Sequence, residues 1–217
     1  MTAVALPGIP MEQYIRDAFG QHPPALSSSL AHKLLTRSPR HAWICHARLN
    51  PAWAPHDASR FDLGSAAHAV LLEGKGELLH VVDAPDFRTK AAQAERDAAR
   101  LAGKIPLLRE QADAVEQMVT VAKRAIATSP DLRHVRLDEL VAETTLLWPE
   151  GKAWCRCRPD WMTATRDVVL SYKTTASSAE PDAFTRGVLL SSGYDLQAAF
   201  ECRGVELPTD SGEAPRA

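Results

Sequence analysis

The sequence carries no marked excess of either charge. Its 25 lysines and arginines stand against 27 aspartates and glutamates, a formal net charge of −2. Bulk charge therefore neither requires nor forbids a polyanionic partner, since basic residues can gather in one groove while the rest of the surface stays acidic. Cysteine is scarce. Cys45, Cys155, Cys157 and Cys202 form neither a disulfide framework nor paired CxxC knuckles, which points to reduced thiols and a cytoplasmic setting. Cys155 and Cys157 alternate along a strand and would share one face; two ligands do not close a zinc or iron–sulfur site, so packed thiols are expected there. No apolar run approaches the ~18 residues of a membrane span. The opening MTAVALPGIPMEQYIRD also lacks the basic start and long apolar stretch of a secretory signal. No internal repeat is visible. What remains is an ordinary globular composition, 45% hydrophobic and 24% charged over 217 residues, long enough for one domain with a real core.

Along the chain, PPALSSSLAHKLLTRSPRHAWICHARLNP reads as a capped helix, with hydroxyls at Ser27 to Ser29 and an interruption at Ser38-Pro39 before another short helix. In SRFDLGSAAHAVLLEG the small residues Gly64 to Ala67 allow close helix packing, and Val70 to Leu72 extend a buried face. From Thr89 to Ser129 the pattern is helical, with Val115, Met118, Val119, Ala122 and Ile126 at core spacing. The period then changes. VAETTLLWPEGKAWCRCRPDW holds two apolar-rich runs joined by a turn at Pro149-Glu150-Gly151-Lys152, and RDVVLSYKTT is a third short strand. DAFTRGVLLSSGYDLQAAFEC returns to helix with a break at Gly193. The expectation is a mixed α/β domain over 1–205: a helical half over about 10–130, a sheet core over about 135–202, and a loose tail at 206–217.

Strand alternation places Arg158 and Asp160 on one face, opposite Cys155 and Cys157, and puts Ser171 and Lys173 together on the third strand. If these strands are neighbours, Asp160, Ser171 and Lys173 converge at one end of a sheet. A turn centred on Glu150-Gly151 also sets Glu143 opposite Arg158, either as a cross-strand ion pair or as a supporting acid. Phosphodiester hydrolysis needs such a set: carboxylates to hold Mg²⁺ or Mn²⁺, and a lysine to orient water or add positive charge. The spacing D-x(10)-[DE]-x-K is weak by itself, and here Ser171 occupies the second acid's place.

Seven segments in order, LSSSLAHKLLTRSPRHAW, FDLGSAAHAVLLEG, FRTK, AETTLLW, CRCRPDW, VVLSYKTT and FTRGVLLSSGYDLQAAF, are a more specific signal. Together they resemble the PD-(D/E)XK nuclease superfamily, in the phage and prophage exonuclease branch that includes exodeoxyribonuclease VIII. The resemblance implies a restriction-endonuclease-like core, with a mixed central sheet flanked by helices and a helical N-terminal part. It implies Mg²⁺- or Mn²⁺-dependent digestion of double-stranded DNA from an end, in phage-type recombination. It further implies a single-strand annealing protein as partner, a ring-shaped homo-oligomer and no membrane. Carried over by position, His68 matches a helical histidine that is a metal ligand or its close supporter, Asp160 matches the first metal carboxylate, the backbone carbonyl of Tyr172 faces the metal, Lys173 is the catalytic lysine, and Gln197 belongs to the helical motif that helps organise DNA and the site. Arg158, Thr174 and Tyr194 fall at positions that contact DNA.

Two departures stand out. Ser171 replaces an anionic ligand with a neutral hydroxyl, a poor donor for a hard divalent ion; weakened metal binding and an impaired enzyme are expected. Glu201 stands where the family's QxxxY pattern has tyrosine, and the chain reads as shortened beyond it. Glu201 follows Gln197 by four and so shares its helical face, which makes it the best candidate for a migrated ligand. The other reading is a catalytically inactive DNA-binding or assembly protein on the same scaffold, and the plainest is a structural α/β domain in which Asp160 and Lys173 merely pair.

Overall fold

The structure, a computed structural model, describes residues 2–55 and 62–210. In chain order the elements are β1 (Ala3–Leu6), α1 (Met11–Arg16), β2 (Ala25–Leu26), α2 (Ser28–Thr36), α3 (Pro39–Cys45), α4 (Asp62–Glu73), β3 (Leu79–Val82) and α5 (Lys90–Leu101). There follow β4 (Ile105–Leu108), α6 (Arg109–Thr128), β5 (Val141–Ala142), β6 (Thr145–Glu150), β7 (Ala153–Cys157), β8 (Trp161–Met162), β9 (Val169–Leu170), α7 (Pro181–Phe184), α8 (Tyr194–Glu206) and β10 (Thr209–Asp210). The chain is thus α/β with a mixed sheet. It divides into two compact units, Met1–Pro55 with Leu140–Ala217, and His56–Glu139. Among the described residues no helix is long and apolar enough to cross a membrane.

In the first unit a five-stranded sheet runs in the order β10-β1-β6-β7-β2, its outer pairs parallel and its inner pairs antiparallel. The run Leu146-Leu147-Trp148 does not alternate in polarity because both faces of β6 are covered. On one face Leu146, Trp148, Cys155 and Cys157 pack with Val205 and Leu207, from α8 and the residue that ends it. Here the two thiols sit in apolar surroundings, and burial pushes that of Cys155 up to about 11 and that of Cys157 well above its ordinary value. Gly204 allows this contact: a Cβ there would meet Cys157 Sγ at 2.9 Å and Trp148 Cζ3 at 3.0 Å. On the other face Leu147 packs with Phe19 and Ala25. Arg156 emerges beside them, 3.2 Å from the buried Asp17 carboxylate and over the Tyr14 ring at 4.8 Å.

The β6–β7 hairpin closes through Gly151-Lys152, with Glu150 paired to Ala153 and Gly151 at φ 61°, the backbone that a two-residue hairpin turn needs. The expected turn lay a residue earlier. The true register sets Glu143 opposite Asp160 rather than Arg158, and the Glu143 N–H donates to the Asp160 carbonyl at 3.1 Å. Beyond the hairpin, β5, β8 and β9 form a short antiparallel sheet with Trp161 opposite Leu170. β9 itself is only Val169–Leu170, shorter than the strand read from RDVVLSYKTT. Thr209–Asp210, within the expected tail, pairs with β1; residues 211–217 of that tail lie outside the described residues.

The second unit joins parallel β3 and β4 through α5, a βαβ crossover. α6 packs on both strands, and α4 packs on α6 and β4. Val82, Leu107 and Val115 are fully buried, as are Ala66 and Ala67 on α4. Val119 is also buried and Met118, Ala122 and Ile126 are half-buried, the stripe that the spacing predicted. Both strands of this unit were missed. LHVV carries a histidine within its apolar run, and IPLL lies between two strong helical patterns with a proline inside it, so neither offered a strand-length period of its own.

Candidate active site

The site is built where the β8–β9 pair meets α8. Asp160 follows the buried Pro159 and ends the stretch that leads from β7 into β8. Since Trp161 pairs with Leu170, the next residues outward, Asp160 and Ser171, stand across from each other. The Tyr172 N–H donates to Asp160 Oδ2 at 2.7 Å, and Lys173 Nζ donates to the same oxygen at 3.1 Å. The Lys173 ammonium also lies 5.6 Å from the centre of the Tyr194 ring, within cation–π range. Tyr194 is itself stacked on Phe184.

α8 supplies the other wall. Gly193, at φ 70°, forms its N-cap, a left-handed conformation that glycine adopts without steric cost. Gln197 and Glu201 lie one turn apart on the helix face turned to the site. The Ser171 hydroxyl donates to Glu201 Oε2 at 2.7 Å, and the Gln197 amide donates to Glu201 Oε1 at 2.6 Å. Both carboxylate oxygens of Glu201 are therefore held, in a residue only 2% exposed.

Burial is the largest influence on Glu201 and raises its pKa above the ordinary carboxylate range. The hydrogen bonds from Gln197 and Ser171 and the charge of Lys173 pull it back, while the charge of Asp160 raises it further. Two acids and one lysine thus share one field. A buried pair of carboxylates is relieved by cationic charge, and Lys173 supplies only one unit of it. The donor set is oxygen, with two carboxylates plus the Tyr172 carbonyl on the same segment. Such a set suits Mg²⁺ or Mn²⁺, hard ions that bind through one or two carboxylates and keep several waters. Among the described residues, no three His, Cys, Asp or Glu side chains gather into a group that could hold an ion by themselves.

The structure therefore brings together Asp160, Ser171, Tyr172, Lys173, Tyr194, Gln197 and Glu201. His68 lies half-buried on α4, in the other unit. Thr174 follows Lys173 in the same extended segment and is half-buried. Arg158 has its guanidinium held by the Ile9 carbonyl and by Glu143 Oε2, the latter at 2.6 Å, with 8% of its side chain exposed. Glu143 and Arg158 form the ion pair that the sequence left open, despite the two-residue difference in register, because a shift of two preserves the strand face. Glu143 holds a backbone φ of 50°, which costs a non-glycine residue roughly 1–2 kcal/mol. Position 201 was found from its spacing to Gln197; its direct bond to Ser171 had no signal in sequence. No family model, no curated protein and no solved structure matches this chain.

Proposed function

We propose that the chain is a Mg²⁺- or Mn²⁺-dependent DNA exonuclease-type protein with a restriction-endonuclease-like core, acting on double-stranded DNA ends, in which Glu201 supplies the carboxylate that Ser171 lacks. The observation that carries this reading is the Ser171–Glu201 bond. The hydroxyl at the vacated acid position holds a buried carboxylate from α8 at 2.7 Å, in the same field as Asp160 and Lys173. A purely structural pair of Asp160 and Lys173 gives no reason to bury a third ionisable group beside them against its desolvation cost.

Asp160 and Glu201, with the Tyr172 carbonyl, are the groups that would hold the ion. There it would supply charge neutralisation at the scissile phosphate and a more acidic bound water. Tyr172 N–H fixes the Asp160 carboxylate, and Ser171 and Gln197 fix that of Glu201, so both acids are oriented before substrate arrives. Lys173, held between Asp160 and the Tyr194 ring, is placed to orient the attacking water or to stabilise charge on the phosphate. A ring-shaped assembly and a single-strand annealing partner in phage-type recombination complete the reading that the resemblance suggests.

The competing reading, an inactive DNA-binding or assembly protein, is favoured by one observation: no group of three ligating side chains occurs among the described residues. Degradation of linear duplex DNA in Mn²⁺ separates the two. Wild type is expected to degrade it, Ser171→Ala to lose about tenfold with the bond that orients Glu201, and Glu201→Gln and Lys173→Ala to lose roughly 10²–10⁴-fold each. Duplex binding without cleavage by the wild type gives the answer to the inactive scaffold.

A further inference from the structure

Residues 18–55 contain no aspartate or glutamate, while Lys33, Arg37, Arg40 and Arg48 all fall within them. Arg48 is committed to the buried Asp17 carboxylate. Among the described residues no carboxylate pairs with Lys33, Arg37 or Arg40. These three lie on α2, at its C-cap and in the first turn of α3, two helices that pack on each other. The same two helices leave large apolar side chains open to solvent: Leu35 is 76% exposed, Trp43 and Ile44 each 46%. The chain keeps acids out of this corner and leaves its cations without carboxylate partners on the helix pair that also exposes an indole.

The corner adjoins the candidate active site. α2 packs on α8, and the His32 ring lies so close to Gly193 that a Cβ there would meet its Cδ2 at 2.7 Å. Gly193 begins the helix that carries Tyr194, Gln197 and Glu201. We infer that the α2–α3 corner is a binding surface for a DNA strand leading to that site, with Lys33, Arg37 and Arg40 on successive phosphates and Trp43 stacked on an unpaired base. This rests on the nuclease reading for the identity of the polyanion. Lys33 and Arg37 are four residues apart, so one helical turn separates them, and cations so spaced can follow one strand's backbone. Stacking on an aromatic face tolerates any base, which suits a protein that must accept every sequence.

The test is binding of fluorescein-labelled oligonucleotides, single-stranded and blunt duplex, measured by anisotropy in EDTA over a range of salt. The triple variant Lys33→Gln/Arg37→Gln/Arg40→Gln is expected to bind single strands at least tenfold more weakly at about 0.1 M salt. Its slope of log affinity against log salt should flatten by about 2, at ~0.7 per phosphate contact. Trp43→Ala should cost about tenfold on single strands and less on duplex, and Trp43→Phe should restore most of it. All four positions lie on solvent-facing or half-buried parts of the helices, and urea midpoints report whether each variant stays folded. Unchanged DNA affinity in the folded triple variant overturns the inference. So does loss of binding to phosphatidylglycerol vesicles with DNA binding intact, which would assign the corner to a lipid surface. EDTA keeps this separate from catalysis. Corner-dependent binding without any metal-dependent cleavage keeps the surface and removes the nuclease reading, whereas cleavage with corner-independent binding does the reverse.

Discussion

Replacing Ser171 by aspartate restores the acid that the motif calls for, and the geometry makes that replacement costly. Ser171 Oγ lies 2.7 Å from Glu201 Oε2, so a new carboxylate is pressed against one that is already buried and resists ionisation. Two unit charges ~4 Å apart repel by about 4 kcal/mol at an effective dielectric of ~20. The hydroxyl donor is lost as well, a bond to a charged group that contributes about 1.5–3 kcal/mol. The pair does not bear the full sum, because one carboxyl keeps its proton and the two titrate together. The folded-state pKa of the pair then lies above the unfolded one. Stability is therefore near that of the wild type below the unfolded carboxyl range and falls as pH rises through the folded value. Position 171 is exposed, so solvent screens part of the repulsion, and urea unfolding in EDTA should find Ser171→Asp less stable by about 1–2 kcal/mol at pH 7, with the gap closing toward pH 4.5. Adding Glu201→Gln to the same chain should recover most of the loss, a coupling of about 1 kcal/mol. Equal midpoints for wild type and Ser171→Asp from pH 4.5 to 8, or strict additivity with Glu201→Gln, would refute the placement of Glu201 against position 171.

Glu201 has its own pH signature in the wild type. Since burial raises its folded-state pKa, its favourable contribution is fully present below the unfolded pKa and is lost as pH rises through the folded one; Glu201→Gln should remove that decline in urea midpoints without lowering stability at pH 7. At Gly204 a methyl group would meet Cys157 Sγ at 2.9 Å and Trp148 Cζ3 at 3.0 Å, so Gly204→Ala should cost about 1–3 kcal/mol in urea unfolding. Adding Cys157→Ala to that chain should return part of the loss, and full stability in Gly204→Ala alone would mean that α8 sits farther from the sheet.

The elements that show a period of their own were legible in the sequence. Ser27 does cap α2, its Oγ accepting from Leu30 N–H, and the interruption read at Ser38-Pro39 is where α3 begins, with Ser38 Oγ accepting from His41 N–H. The stripe on α6 and the break at Gly193 follow the same local rules. The strands β1, β3 and β4 were not legible, because four-residue runs such as AVAL and IPLL carry too little pattern to compete with neighbouring helices. The hairpin register was off by two because both Pro149 and Glu150 read as turn residues, whereas ladder pairing continues through Glu150 to the Gly151-Lys152 turn. At the site, Asp160, Ser171 and Lys173 do come together, but β9 ends at Leu170, so strand parity does not account for Lys173: it and the Tyr172 N–H turn to Asp160 while Ser171 turns to Glu201. The bond from Ser171 to Glu201 links a strand end to a helix thirty residues on, and only tertiary packing sets that distance. Arg158 illustrates the converse: its side chain shares a face with Asp160, yet Tyr14, Ile9 and Glu143 enclose it, a fact no local pattern carries.

Binding of Mn²⁺ to the DNA-free protein, followed by calorimetry or electron paramagnetic resonance, tests the shared-acid site most directly. One ion should bind the wild type, and both Asp160→Asn and Glu201→Gln should weaken it by about tenfold or more, as expected when one of two anionic ligands of a hard cation is removed. Binding that Asp160→Asn abolishes but Glu201→Gln leaves unchanged would contradict the account, and so would no binding to the wild type at all.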